Sequence, residues 1–330
     1  MKKVCIVGAG AIGGFIGTRL AAAGHAQVSA LARGATLSAL QQHGWRLQTA
    51  EGLVQVPARA ALLAQDLGPQ DLVIIAVKGP ALSHVAGQIG PLLGPETAVL
   101  PAMNGVPWWF TDGVDEFQGA PLQSLDPDGL VARNITSERV VGAVVHASTS
   151  MPEPGLVKHT MGQGLIVGEP SGGRSLRVHQ IVGLLEAGGF DVTHSAQIKA
   201  DIWYKLWGNL TMNPVSAITG ATIDRVLADP LVRAFCSAVM SEAAEIGRRI
   251  GCPIEQDPED RHVVTAKLGT FKSSMLQDVE AGRPIELDSI VSAVQEIGQR
   301  LGIEMPNINA LLGLSRLFGR VRRLYPEAAK

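Results

Sequence analysis

What this 330-residue chain lacks narrows its function first. It has no surplus of positive charge. Its 28 lysines and arginines stand against 30 aspartates and glutamates, and the pI near 6.5 is not that of a nucleic-acid-binding protein. The locally basic stretch SRLFGRVRRLY reads as the solvated face of a last helix. Cysteine is confined to Cys5, Cys236 and Cys252, an odd count with neither the paired spacing of a zinc site nor the density of a disulfide framework, which fits a reducing cytoplasm. The eight histidines are dispersed and none pairs with a neighbouring Cys or His, so no metal is expected. Glycine, proline or charge interrupts every apolar run before membrane-spanning length, and there is no internal repeat or low-complexity tract. What is present is a globular composition, 46% hydrophobic and 18% charged, with core material for two domains.

The first residues, MKKVCIVGAGAIGGFIGTRLAAAGHA, imitate a secretory leader, with two lysines, an apolar run and an A-x-A-like site. Their glycines follow another logic. KVCIV reads as a buried strand, AIGGFIGTRLAAAG as a helix closed by Gly24, and AQVSALAR as a second strand, together one βαβ unit. DLVIIAVK (71 to 78) and TAVLPAMN (97 to 104) read as parallel strands buried on both faces, with a helix between them from Ala81 to Leu93. The short runs at 139 to 148, 155 to 160 and 164 to 169 predict that the sheet continues in mixed or antiparallel form, followed by a helix near 175 to 187 and a strand at 190 to 195. From Ile198 the pattern is helical, through Val232, Phe235, Cys236, Val239, Met240, Ala243, Ile246 and Ile250, and again through Val264, Leu268, Phe271, Met275 and Val279. The fold class is therefore α/β, an N-terminal Rossmann-type dinucleotide-binding domain over 1–196 followed by an all-helical domain over 197–330. Residues 107 to 137 carry little periodicity and read as a long loop or insertion.

Gly8, Gly10 and Gly13 form G-x-G-x-x-G between the first strand and the first helix. The first glycine permits the tight turn, the second lets backbone approach a pyrophosphate, and the third lets helix sit close on strand. The N–H groups of the turn, through Ala11 and Ile12, then face the phosphates with the positive end of the helix dipole. A bare G-x-G-x-x-G is a weak signal; strand, glycines, helix and strand in order within one short stretch make a dinucleotide site. The second strand ends in SALARGA, without the acid that would accept from an adenosine 2'-hydroxyl and with Arg33 in its place. A guanidinium can grip a 2'-phosphate that a carboxylate would repel, which favours NADP(H); an ordinary surface arginine is the alternative. Lys78 and Asn104 fall at the carboxyl ends of later strands, where ligands collect in open α/β sheets, although Asn104-Gly105 is equally a plain turn.

DIWYKLWGNLTMNPVSAITG (201 to 220) sets Lys205, Asn209 and Asn213 along one seam of a helix. Ile202, Trp203, Leu206, Trp207 and Leu210 form the apolar stripe, and Asp201, Tyr204, Gly208 and Thr211 lie roughly opposite. Such a seam borders either water or a cavity. Glu286, before LDSIVSAV, reads as an acid at a helix start, and Ser274 as a polar position on a mostly apolar helix.

Taken together, GAGAIG, Arg33, VKG, NGV, YKLWGNLTMNP and SSMLQDVEAGRPIELD resemble the ketopantoate reductase (2-dehydropantoate 2-reductase) family over nearly the whole chain and in the same order. The resemblance implies NADPH-dependent reduction of 2-dehydropantoate to (R)-pantoate. It makes Lys205 the catalytic acid and Glu286 an assistant in catalysis and substrate binding. Asn104, Asn209, Asn213 and Ser274 would contact substrate, while Arg33, Lys78 and Asn104 serve the cofactor side. The segment from Asn104 to Gly142 is longer than its family counterpart and carries Trp108 and Trp109, which leaves the particular acid open. A reductase or dehydrogenase for another 2-oxo or hydroxy acid is one alternative, and a non-catalytic NADP sensor another. The expected partner is the small-molecule acid, with no nucleic acid and no membrane; a homodimer is open.

Overall fold

The computed structural model describes residues 1–327. It separates into two compact units, Met1–Asn104 with Asp128–Asp201, and Gly105–Pro127 with Ile202–Lys330. The boundary expected near 197 compares with a division at 201/202, one turn into a helix. The structure also groups Gly105–Pro127 with the helical unit rather than with the strands that flank it.

The strands of the first unit are β1 (Lys3–Val7), β2 (Gln27–Leu31), β3 (Trp45–Gln48), β4 (Leu53–Val56), β5 (Arg59–Ala61), β6 (Gln70–Ile75), β7 (Leu93–Pro101), β8 (Gly142–Glu153), β9 (Leu156–Gly168) and β10 (Asp191–His194). Its helices are α1 (Ala11–Ala23), α2 (Gly34–His43), α3 (Leu82–Ala86), α4 (Leu130–Asn134) and α5 (Leu176–Ala187). One sheet is wholly parallel in the order β5-β2-β1-β6-β7. Strand order reverses direction between β1 and β6, and a crevice for ligands opens at such a switch point.

The later strands depart from expectation. They do not extend the first sheet but build a second, β10-β9-β3-β4, with β8 antiparallel to β9. The two runs at 155 to 160 and 164 to 169 are one continuous strand, β9. The sequence reading also lacked the β3–β4 pair and β5. Glycine explains how α1 packs against both sheets. A Cβ on Gly17 would stand 2.5 Å from the Trp45 ring of β3 and 3.1 Å from Ile6 of β1, and one on Gly14 would stand 2.6 Å from Val157 of β9. Both distances at 2.5–2.6 Å are shorter than real Cβ contacts, so larger residues would force the layers apart. The helix expected from Ala81 to Leu93 is reduced to α3, with 3-10 turns at Gly79–Ala81 and Gly90–Leu92. Gly87, Gly90 and Pro91 break it.

The second unit is helical: most of α6 (Ile198–Thr219), then α7 (Ile223–Ala228), α8 (Pro230–Arg249), α9 (Pro258–Ala266), α10 (Ser274–Glu280), α11 (Ala293–Arg300) and α12 (Pro306–Val321), with a π-helical turn at Asp288–Ser292. The helical spacing read from Val264 to Val279 is interrupted between α9 and α10, where Gly269 adopts φ +61, and Val264 and Leu268 are exposed. Trp108, Trp109 and Phe110 are buried, and Phe110 stacks on Trp203 with ring centroids 5.7 Å apart. Glu296 of α11 accepts from the Gln123 and Ser124 N–H groups, both at 2.8 Å, while Arg300 donates to the Pro121 carbonyl at 2.8 Å. These anchors bind the insertion into the helical unit. No helix among the described residues is long and apolar enough to cross a membrane.

Candidate active site

In the first unit, the carboxyl ends of the parallel strands bring together the residues expected to serve a cofactor. Gly8 takes φ +90 directly after β1, and a Cβ there would stand 2.5 Å from Val77. Gly13 is the tightest position: an added Cβ would stand 2.0 Å from the Gly8 carbonyl and 3.0 Å from Ile6. Gly10 differs, with nothing within 4 Å of the added atom. The turn is thus closed against the sheet at Gly8 and Gly13 and open at Gly10, as a backbone that must admit a pyrophosphate requires. Gly10 is also the N-cap of α1, and no side chain bonds there, so the helix start, with Ala11 and Ile12 in its first turn, keeps its positive end for an anion. The residues present therefore fit a dinucleotide.

Arg33 lies two residues beyond β2, exposed, as the N-cap of α2. Lys78 follows β6 and Asn104 follows β7, both half-buried. The Gly8 turn packs on Ala76 and Val77, next to Lys78.

The second unit holds the other group. The apolar stripe of α6 is buried as expected, with Leu210 and the indoles of Trp203 and Trp207 fully enclosed. The Trp203 and Trp207 Nε1–H groups donate to the Ala243 and Met240 carbonyls of α8 at 3.2 and 2.7 Å, latching the two helices. On the opposite face Tyr204 is exposed, but Thr211 is buried and its hydroxyl donates to the Gly208 carbonyl of the same helix at 3.2 Å. Along the seam, Lys205 and Asn209 are half-buried and Asn213 is buried. The Asn213 Nδ2 has no hydrogen-bond acceptor within reach. A buried amide donor of this kind is one that a ligand oxygen can satisfy.

Burial pushes the Lys205 ammonium down to about 8 from its ordinary 10.5, and the charge of Glu286 opposes that fall. The residue as a whole is half-buried, so some of that desolvation is relieved by water. Ser274 opens α10, exposed. Its neighbour Ser273 caps that helix through the Leu276 N–H at 3.1 Å and bonds to Ser216 of α6 at 2.5 Å. That bond fixes the start of α10 one turn beyond Asn213. Glu286 lies two residues before the π-turn, whose N-cap is Leu287, as an acid near a helix start. Ser216, Ser273 and the π-turn were not singled out from the sequence; their pairings join residues far apart in the chain, and no local pattern announces them.

A parallel sheet with a glycine turn at its switch point, joined to a helical unit with a desolvated amine, defines a nicotinamide-dinucleotide oxidoreductase. Comparison with known proteins carries this further. The family model for ketopantoate reductase PanE/ApbA matches residues 4–172, and that for the ketopantoate reductase PanE/ApbA C terminal matches residues 197–318. The chain belongs to the ketopantoate reductase family, whose members are NAD(P)-dependent oxidoreductases acting on CH–OH donors. It is 41% identical to a 2-dehydropantoate 2-reductase of Mesorhizobium japonicum over 98% of this chain and 99% of that one. A crystal structure of a provisionally assigned ketopantoate reductase from Ralstonia solanacearum MolK2 superposes with a TM-score of 0.95 at 52% identity, covering 98% of this chain and 99% of that chain. D-mandelate dehydrogenase, solved with NADH and anilino(oxo)acetate, shares the fold at a TM-score of 0.84 and 19% identity, over 98% and 100% of the two chains.

Proposed function

We propose that this protein reduces 2-dehydropantoate to (R)-pantoate with NADPH, a cytoplasmic step toward pantothenate and coenzyme A. The observation that carries the reading is the Lys205 ammonium. It is desolvated, close enough to Glu286 to be steadied by its charge, and shares one helix seam with Asn209 and Asn213. When bound, NADPH supplies a hydride to the ketone carbon. Lys205 meets the charge that grows on the ketone oxygen and gives it a proton, and an amine titrating near 8 is well matched to that task at neutral pH. Asn209, Asn213 and Ser274 offer neutral donors and acceptors that orient a hydroxylated oxo acid without cancelling its carboxylate. Asn104, beyond β7, would contact both the acid and the cofactor once they are bound. On the cofactor side, Gly8, Gly10, Ala11, Ile12 and Gly13 hold the pyrophosphate through backbone N–H groups. Arg33 grips the 2'-phosphate, and Lys78 adds positive charge at the strand ends.

The deciding experiment mixes purified protein with NADPH and 2-dehydropantoate and follows the loss of nicotinamide absorbance. Turnover with kcat/KM well above that for other 2-oxo acids supports the reading; NADPH binding without turnover would leave only the cofactor half. A second reading, a different 2-oxo or hydroxy acid, draws on the likeness in fold to D-mandelate dehydrogenase and on the tryptophan-bearing insertion. A panel of branched and aryl 2-oxo acids separates the two.

A further inference from the structure

The segment carrying Glu286 is held from an unexpected direction. After α12 the chain turns back through Arg323, a non-glycine residue at φ +59, a left-handed conformation that persists only where surrounding structure enforces it. The reversal delivers two consecutive residues to the two sides of Glu286. The Leu324 carbonyl accepts the Ile285 N–H at 3.0 Å, and the Tyr325 phenol donates to Asp288 Oδ1. The fit is close: a Cβ on Gly319 would stand 2.7 Å from Tyr325 and 3.1 Å from Ile285.

Asp288 is the first residue of the π-turn, and π-turns inside helices often mark functional positions. Here the Ala293 N–H closes on the Asp288 carbonyl, five residues back, and the Ser289 carbonyl accepts the Val106 N–H at 2.7 Å. Gly105 makes that approach possible, with φ +85 and an added Cβ only 2.4 Å from the same carbonyl. Ser292 also donates to Asp288 Oδ1, at 3.0 Å. The turn is thus pinned on one side by Gly105–Val106 and on the other by the chain's last described residues. The charged groups around the phenol are Asp288, Arg316 and Arg320, the last stacked over the ring at 5.9 Å from its centroid.

We propose that Tyr325 is a positioning residue: by holding Asp288 and the π-turn, it keeps the Glu286 carboxylate in place against the Lys205 amine. The proposal rests on the catalytic reading of Lys205 and Glu286 given above, and its test separates the two. Protein labelled with 13C at the lysine ε-carbon is titrated by NMR, with the Lys205 resonance identified by its disappearance in Lys205→Arg. In the parent protein the midpoint is expected near 8. Removing the Glu286 charge, in Glu286→Gln, lowers it. Tyr325→Phe, which deletes only the hydroxyl, lowers it in the same direction, and so does Asp288→Ala, which deletes the acceptor should the first variant fold poorly. Turnover of the 2-oxo acid in Tyr325→Phe falls about 10- to 100-fold in kcat, with KM for NADPH unchanged, as expected for a misplaced catalytic group.

A Lys205 midpoint that moves in Glu286→Gln but stays put in both Tyr325→Phe and Asp288→Ala, with only a lower melting temperature, overturns the proposal and makes the phenol merely structural. A midpoint unmoved by Glu286→Gln overturns it as well. Should the parent protein reduce no 2-oxo acid, the functional reading falls, while the NMR titration still decides whether Tyr325 sets the environment of Lys205.

Discussion

If Lys205 is held in a desolvated place for its chemistry, the protein should become more stable when that chemistry is removed. The fall from 10.5 to about 8 means that the folded chain disfavours the ammonium relative to the free amine. At about 1.4 kcal/mol for each tenfold change in proton affinity, the cost of keeping the charge is about 3 kcal/mol, an upper bound because the side chain keeps some contact with water. Glu286 opposes the shift, and its attraction is already contained in that figure. The sign follows from proton counting. Between about 8 and 10.5 the unfolded chain binds the proton and the folded chain does not, so stability rises with pH through that window; below about 8 both hold it and the full cost remains.

Lys205→Met keeps the length and apolar stem and removes the charge. At pH 7 it should raise unfolding free energy by as much as about 3 kcal/mol, while lowering turnover on the order of a hundred- to ten-thousandfold. Near pH 10 the advantage in stability should have largely gone, because the parent amine is then neutral when folded. Urea unfolding of both proteins at pH 7 and pH 10, beside steady-state turnover, measures this. A variant less stable than the parent at pH 7, or a gap that does not narrow with pH, would show that the amine is not desolvated and would refute the argument. If the protonated Lys205 amine donates the proton, as proposed, turnover of the parent should be level below about 8 and decline tenfold per pH unit above it.

Arg33→Ala should raise KM for NADPH at least about tenfold while sparing NADH, because a paired guanidinium–phosphate contact is lost on one cofactor alone; equal change for both contradicts the NADP assignment. Gly10→Ala and Gly13→Ala should divide cleanly. The first meets open space and should weaken cofactor binding at an unchanged melting temperature, whereas the second collides with the Gly8 carbonyl and should also cost about 1–3 kcal/mol of stability. Glu296→Ala should free the insertion near 120–126 to proteolysis, at a cost of about 2–3 kcal/mol. Burial would raise the Glu296 carboxyl, but the Ser124 and Gln123 N–H groups, the Ser124 hydroxyl and the Arg300 charge outweigh it and hold the carboxyl below its ordinary 4.5. Its contribution is therefore present at neutral pH and lost as pH falls through that lowered value, which a proteolysis series run from neutral pH down through the acid range follows.

The parts of the site legible in the sequence are those whose geometry is written locally. Gly8, Gly10 and Gly13 are set by one turn between a strand and a helix, and the Lys205–Asn209–Asn213 seam by helical repeat alone, so both could be read from spacing. What escaped was non-local. The second sheet depends on β9 pairing with β3, more than a hundred residues earlier, and short polar-edged strands such as β4 carry no distinctive period. The allegiance of Gly105–Pro127 is decided by Glu296 and Arg300 in a later helix, and the fixing of α10 by Ser216 and Ser273. The helical spacing read from Val264 to Val279 hid a break for a different reason: periodic apolar residues continued through Gly269, and backbone conformation overrode the pattern.

The placement of the polar seam of α6 is a consequence of how its apolar face is packed. Successive residues of a helix point about 100° apart, so sliding the register by one position would turn the amine of Lys205 away from Glu286 and bring an apolar side chain into its place. Two indole N–H groups, one turn apart on α6, donate to two carbonyls one turn apart on α8, and this double latch fixes rotation as well as distance. The latch also requires Gly247, since a Cβ there would stand 2.3 Å from the Trp203 nitrogen. Bulky aromatics beside a row of amides and an ammonium therefore serve one end. The apolar face sets the phase of the helix, and the phase decides which three polar groups lie along the seam, with Lys205 among them within reach of the Glu286 charge.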